Sequence, residues 1–256
     1  MKKIRWIIGI GLLVIIVVVA IGVAASLDKI VKAGVETYGP KITQVSVTLD
    51  DVHISLLGSA KVKGLVVGNP KGYQTPNAIS VGSADVSMDP FSILSDKIVL
   101  HSVKIENPEI TFEGGLSGNN ISKILDNIDS TSGNGSSAAA NSTTNSQPSK
   151  KFEIDDLVIT GGEIHVSVNG LGGREMTLPL PDIELTDLGK GKDGITAAEV
   201  IRAVMSRVSA ETLKAVANAG KDVGNAATSA AKGAEKTVTQ GVNNIGQGIN
   251  NLIKNK

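Results

Sequence analysis

The 256 residues contain no cysteine. A disulfide framework, a thiolate zinc site and a cysteine nucleophile are therefore excluded. Aromatic residues are almost as scarce, with one Trp, two Tyr and three Phe. A core must be built from Val, Ile and Leu, and the aromatic pattern of an RNA-binding surface is missing. Neither sign of charge is in excess: 25 basic residues balance 25 acidic ones. That removes the electrostatic footprint of a nucleic-acid binder. The three histidines, His53, His101 and His165, are never three or four residues apart, so no helical metal pair exists. No Gly-x-Ser-x-Gly or His-Glu-x-x-His motif occurs, and no Gly-Lys-Ser/Thr follows the glycines at 170–173. Asp50-Asp51 and Asp155-Asp156 are adjacent carboxylates, but strand neighbours point to opposite faces and cannot act jointly. His53 and His165 fall out of phase with their apolar neighbours and are expected in solvent. His101, in phase with Val99 and Val103, is expected on the inner face. No catalytic residue, metal or cofactor is expected.

What the chain does have begins at its N-terminus. Met1-Lys2-Lys3-Ile4-Arg5 is a basic head, and from Trp6 to Ala25 there is no charge. Those 20 residues cover about 30 Å as a helix, the thickness of a hydrocarbon core. Lipid offers the backbone no partner, so a helix is the required form. The span, with Trp6, Ile7, Leu12, Val17 and Ile21 along it, is expected to anchor the chain over residues 1–26. The basic head stays on the inner side, and nearly all the rest lies outside. The rival reading is a cleaved leader, since Ala24-Ala25-Ser26 are small, but the apolar run is longer than a leader core. Leu27, Ile30, Val31 and Val35 then recur at helical spacing. They predict a stem helix over 27–40, ended by Gly39-Pro40.

From Lys41 the apolar period changes to two. Val45, Val47 and Leu49 begin a series of strands that fills 41–128. Within it lie Val52 to Leu56, Val62 to Val67, Ala78 to Met88, Ile98 to Glu106 and Glu109 to Glu113. A turn or short helix follows Asp89-Pro90, and another short helix spans Ile121 to Ile128. Residues 129–150 are mostly Ser, Thr, Asn, Gly and Ala and are expected to form a flexible loop. Strands resume in 151–190, as Phe152 to Thr160, Glu163 to Val168, Met176 to Leu180 and Ile183 to Leu188. From 195 to 256 a stripe that includes Val208, Val216, Val223, Val238, Ile245 and Leu252 predicts a long amphipathic C-terminal helix. Its glycines leave it marginal alone, so it needs a surface to fold on.

The strands echo one another. Val103-Lys104-Ile105 and Glu109-Ile110-Thr111-Phe112 match Leu157-Val158-Ile159 and Glu163-Ile164-His165-Val166 at the same spacing. Short strands meeting at Asn107-Pro108 and Gly161-Gly162 corners suggest a repeating antiparallel sheet. The fold class expected is mainly β with α: an N-terminal transmembrane helix, a curled antiparallel sheet and a long C-terminal helix.

Three stretches resemble the N-terminal region of AsmA-like proteins. They are Val66-Val67-Gly68-Asn69-Pro70-Lys71-Gly72-Tyr73, Asp89-Pro90-Phe91-Ser92-Ile93-Leu94, and Ile98 through Ile110 with its Glu106-Asn107-Pro108-Glu109 corner. Asn119-Asn120-Ile121 fits the same pattern. The resemblance covers residues 1–128 well and 151–188 in part. It implies a periplasmic sheet curled into a groove with an apolar inner face, held at the bacterial inner membrane by a single pass. Large members are linked to phospholipid movement and envelope integrity and resemble bridge-like lipid-transfer proteins. This chain is shorter, so the resemblance implies shielding part of a lipid or anchoring a partner. Candidate lipid-facing residues are Val45, Val47, Val86, Val99, Val103, Ile105, Ile110 and Phe112. The expected partners are membrane lipid and an envelope protein, with no nucleic acid. The alternatives are an adaptor that binds a partner through the C-terminal helix and a stress-protective protein with an Ala/Gly/Lys-rich tail.

Overall fold

The computed structural model describes residues 26–116, 118–131, 150–167, 175–191 and 193–222. The anchor residues Trp6, Ile7, Leu12, Val17 and Ile21, most of the 129–150 loop, the 170–173 turn and the stripe beyond 222 lie outside them. Among the described residues no helix is long and apolar enough to cross a membrane.

The stem is helical over residues 26–43 (α1) and runs past Gly39-Pro40 rather than stopping there. The Thr43 hydroxyl donates to the Gly39 carbonyl at 2.9 Å, and Gln44, at φ 56°, ends the helix in the left-handed conformation. The first strand is correspondingly shorter than expected. Strands β1 (Val47–Thr48), β2 (Asp51–Ser55), β3 (Ser59–Gly68) and β4 (Asn77–Met88) follow, then a 3-10 turn at Pro90–Leu94. Next come β5 (Lys97–Glu106), β6 (Glu109–Gly115), β7 (Gly118–Asn119) and helix α2 (Asn120–Thr131). β8 (Lys151–Thr160), β9 (Glu163–Ser167), β10 (Glu175–Pro179), β11 (Ile183–Leu188) and β12 (Ile195–Thr196) lead into helix α3, described over residues 197–222. Thr196 and Glu199 close a capping box on α3. The Glu199 carboxylate accepts the Thr196 N–H at 2.6 Å and its hydroxyl at 2.8 Å, which hold the Glu199 carboxyl below its usual range.

The sheet is not wholly antiparallel, which corrects the sequence expectation. β5 pairs with β8, and β6 with β9, in parallel. The partners are the two halves of the sequence echo: Val103 lies beside Leu157, Ile105 beside Ile159, Ile110 beside Ile164 and Phe112 beside Val166. Alternating sequence alone carries no strand direction, because the two faces alternate identically in both arrangements. A parallel pair needs a crossover, and β7, α2 and the segment after it supply one.

β4 is antiparallel to β5 at one end and to β6 at the other, so β5 and β6 are one strand interrupted at Asn107-Pro108. β8 and β9 are likewise interrupted at Gly161-Gly162, and β11 and β10 between Pro179 and Ile183. The breaks lie side by side. The Asn107 N–H donates to Thr160, the Glu163 N–H to Pro108 and the Leu180 N–H to Gly162, each carbonyl within 2.9 Å. Gly64, at φ 61°, continues the line in β3. The result is a crease across six rows of strand.

One outer row, β1 and β2, is covered by α1. The Asp28 carboxylate accepts the Ile54 N–H at 2.7 Å, Glu36 accepts that of Leu49 at 3.2 Å, and the Lys32 ammonium donates to the Asp50 carbonyl at 2.8 Å. Side chains thus satisfy backbone groups that an open edge leaves free for aggregation.

Candidate functional site

On the β2–β5 side of the crease the even positions of β2, β3 and β4 are apolar, and register joins them into continuous rows. Val52, Val62, Ala84, Ile105, Ile159 and Ile183 form one row across six strands. Ile54, Ala60, Val86, Val103, Leu157 and Leu185 form the next. Met88, Leu100, Ile154 and Leu188 add a shorter third. At ~4.8 Å per strand, the full rows are about 24 Å wide. The opposite face of the same strands carries Lys61, Asp85, Ser87, Ser102, Lys104 and Glu184, including a Lys61–Asp85 ion pair at 3.3 Å.

Burial is uneven along these rows. Val52, Ile54, Leu157, Ile159 and Ile183 are buried, whereas Val62, Val86, Val103, Ile105 and Leu185 keep part of their surface exposed. Leu27, Val31 and Val35 of α1 pack on the cluster of Leu49, Val52, Ile54, Ala60 and Met88. The helix thus covers the β2 flank of the rows.

Beyond the crease the buried phase shifts by one residue in every strand. Val47, Val67, Ile79, Ile110, Ile164 and Leu178 are the next row, followed by Phe112, Val166 and Met176. The step between buried positions is odd in each case, as from Val62 to Leu65 or from Ile105 to Ile110. Period-two alternation cannot make an odd step within a regular strand, and the glycine, proline and left-handed residues of the crease make it possible.

Of the residues expected on one apolar face, Val86, Val103 and Ile105 meet in register and stay partly open. Val45, Val47, Ile110 and Phe112 are buried, the last two almost completely, so they are core rather than the wall of an open groove. Val99 corrects the sequence reading, and so does His101. β5 makes a bulge, with Ser102 opposite Ser87 but Leu100 opposite Met88. Leu100 therefore joins the apolar rows. Val99, beside Glu153 and one residue out of step with the Leu100–Ile154 pair, falls on the other face, and its backbone N–H donates to the Ser92 hydroxyl. His101, expected inside, is exposed, with its Nδ1 2.9 Å from the Asp155 carboxylate. Alternation predicts neither, because a bulge inserts one residue into the count. His53 is exposed, as its phase requires. Among the described residues no group of three His, Asp or Glu could hold a metal.

Sequence reasoning missed a buried polar network. The Glu113 carboxylate accepts the Gln74 N–H at 2.7 Å, the Thr75 N–H at 2.9 Å and the Thr75 hydroxyl at 2.8 Å. Asn120 accepts the Glu113 N–H at 2.9 Å and donates to Asn69 at 2.8 Å and to the Thr111 carbonyl at 2.6 Å. Asn69 in turn donates to the Thr75 carbonyl at 2.8 Å. Burial alone raises the Glu113 carboxyl, but these hydrogen bonds outweigh it and hold the group below its usual value near 4.5. The network ties the 69–76 loop to β6 and α2. It explains why Asn69-Pro70 and Asn119-Asn120 occur together: Asn120 closes the network while the Asn119 side chain caps α2 by accepting the Ser122 N–H at 2.8 Å.

No curated protein and no solved structure matches the chain. A family model described as the AsmA family matches residues 1–185, a stretch that takes in the stem, the crease and both rows of parallel pairing. The chain belongs to the AsmA family.

Proposed function

We propose that this protein is a non-enzymatic envelope component that shields phospholipid acyl chains on its creased sheet while anchored in the bacterial inner membrane by residues 6–25. The observation that carries the reading is the pair of six-strand apolar rows with its partly open centre at Val86, Val103 and Ile105. Each methylene withdrawn from water contributes about 0.8 kcal/mol, so a surface about 24 Å wide without polar interruption suits an alkyl chain. The uncharged 20-residue run and family membership support the membrane location.

The test compares two adjacent faces of one strand. A photo-reactive benzoylphenylalanine at Val103 is expected to crosslink phospholipid in cells, while the same group at Val99 is expected to give none. Equal labelling at both positions, or none at Val103 in a folded protein, would remove the lipid reading. In a second reading the apolar face is filled and the protein serves as a tethered adaptor through α3, whose Met205, Val208 and Thr212 are buried and whose Arg202 pairs with Asp129 of α2. That reading predicts no lipid at Val103 and loss of a protein complex when residues 210–256 are removed.

A further inference from the structure

Seven large apolar side chains are exposed among the described residues, and they are unevenly placed. Leu57 is 95% exposed and Leu56 43%, in the turn between β2 and β3. Phe91 is 81% and Leu94 78% exposed, in the 3-10 turn after β4. The two turns are neighbours: the Met88 N–H donates to the Gly58 carbonyl at 2.8 Å, and a side chain on Gly58 would meet Pro90. Ile93, between Phe91 and Leu94, packs on the same cluster as Leu27 at the start of α1. Burying Ile93 there leaves its neighbours outside.

The start of α1 fixes where this patch sits. Asp28 holds the Ile54 N–H at 2.7 Å, and Leu57 is three residues beyond Ile54, about 10 Å at full extension. Residues 6–25 directly precede α1 and carry no charge. If they cross the bilayer, Ser26 emerges at its surface, and so do both turns.

We propose that Leu56, Leu57, Phe91 and Leu94 form a second membrane contact, inserting into the outer interface of the same bilayer beside the anchor. The inference rests on the anchor reading given above. Two contacts in place of one fix the tilt of the body, so the apolar rows start at the lipid surface instead of swinging on a single helix. β4 and β5 both end at this patch, which places Met88 and Leu100 nearest the bilayer. Exposed Asp89 and Asp96 bound the 3-10 turn, and the Lys150 ammonium donates to its Ile93 carbonyl at 3.0 Å, so the charges here are of both signs; insertion is driven by apolar burial and is expected to resist salt.

The chain has a single tryptophan, Trp6. In a Trp6→Phe background, Leu57→Trp and Leu116→Trp each give one reporter, the second at the far end of β6. The full-length chain is reconstituted into phosphatidylcholine vesicles carrying shallow brominated lipids, at low and high salt. The expected result is quenching and a blue shift at position 57 under both conditions, and neither at position 116. Co-flotation with no quenching at 57 would overturn the membrane contact and leave the anchor reading intact. A blue shift in detergent as well as vesicles without bromine quenching would show a contact with protein, a second copy included, and would also overturn it. Failure to co-float would remove both readings together.

Discussion

Replacing Glu113 with alanine is expected to destabilise the fold by about 3 kcal/mol. Its carboxylate is only 4% exposed and accepts three hydrogen bonds from Gln74 and Thr75. Truncation leaves the N–H of the exposed Gln74 and the N–H and hydroxyl of the half-buried Thr75 without their acceptor; a group cut off from water costs about 1–3 kcal/mol and one that water reaches costs less. For a domain of this size the loss corresponds to a Tm lower by roughly 6–12 °C. A urea melt of the full-length chain in detergent measures it. The damage should be local at first: Asn69 and Asn120 keep their mutual bond, so the 69–76 loop is expected to exchange amide hydrogens earlier than the crease.

The same carboxylate makes stability depend on pH. Its folded pKa is depressed, so its contribution is present above the unfolded value near 4.5 and is lost as pH falls through the lower folded value. Wild type should therefore lose stability faster than Glu113→Gln below about pH 4.5. The variant, already weakened at neutral pH because its amide turns a donor toward donors, should close much of the gap in acid. A constant difference between the two at all pH values would show that folding leaves the pKa of this carboxyl unchanged and would overturn the prediction.

The strands were legible because alternation of small aliphatic residues is unambiguous when so few aromatics interrupt it. The echo around Val103 and Leu157 was also legible, and its meaning emerged as lateral register between parallel neighbours. Strand direction was not legible, since Ile105 beside Ile159 looks the same in either sense. Nor was the alignment of the Asn107-Pro108 and Gly161-Gly162 breaks into one crease. Reading Val99 and Val103 as one face assumes an unbroken period of two within Ile98 to Glu106, and the β5 bulge breaks it. The Glu113 network left no periodic trace. The only signal was that Gly68-Asn69-Pro70 and Asn119-Asn120 both carry the family resemblance while neither has chemistry to perform. Such pairs of asparagines at turns are candidates for mutual hydrogen bonding.

The crease makes a controlled prediction. Gly64 of β3 and Gly82 of β4 both belong to it, Gly82 lying between Val81 and Ser83, which pair with the residues on either side of Gly64. Gly64 has φ 61°, and a methyl group there would collide with the Asp50 side chain, its Cβ included. Gly82 has no neighbour within 4 Å of the same position and no left-handed backbone. Gly64→Ala is expected to cost about 2 kcal/mol, of which roughly 1–2 is the left-handed conformation itself. Gly82→Ala is expected to be neutral or to stabilise by up to about 1 kcal/mol, through the unfolded chain it restricts. Adding Asp50→Ala to Gly64→Ala separates the two terms. The Lys32 ammonium binds the Asp50 carbonyl, so that bond survives. The double variant should relieve the collision with the Asp50 carboxyl group, while the contact with its Cβ and the backbone strain remain, giving a coupling energy of opposite sign to the single losses. If Gly64→Ala and Gly82→Ala were equally harmless in urea melts, the left-handed step would not be what lets β3 change its buried phase between Val62 and Leu65. The crease would then have to be held by the Asn107-Pro108 and Gly161-Gly162 corners alone.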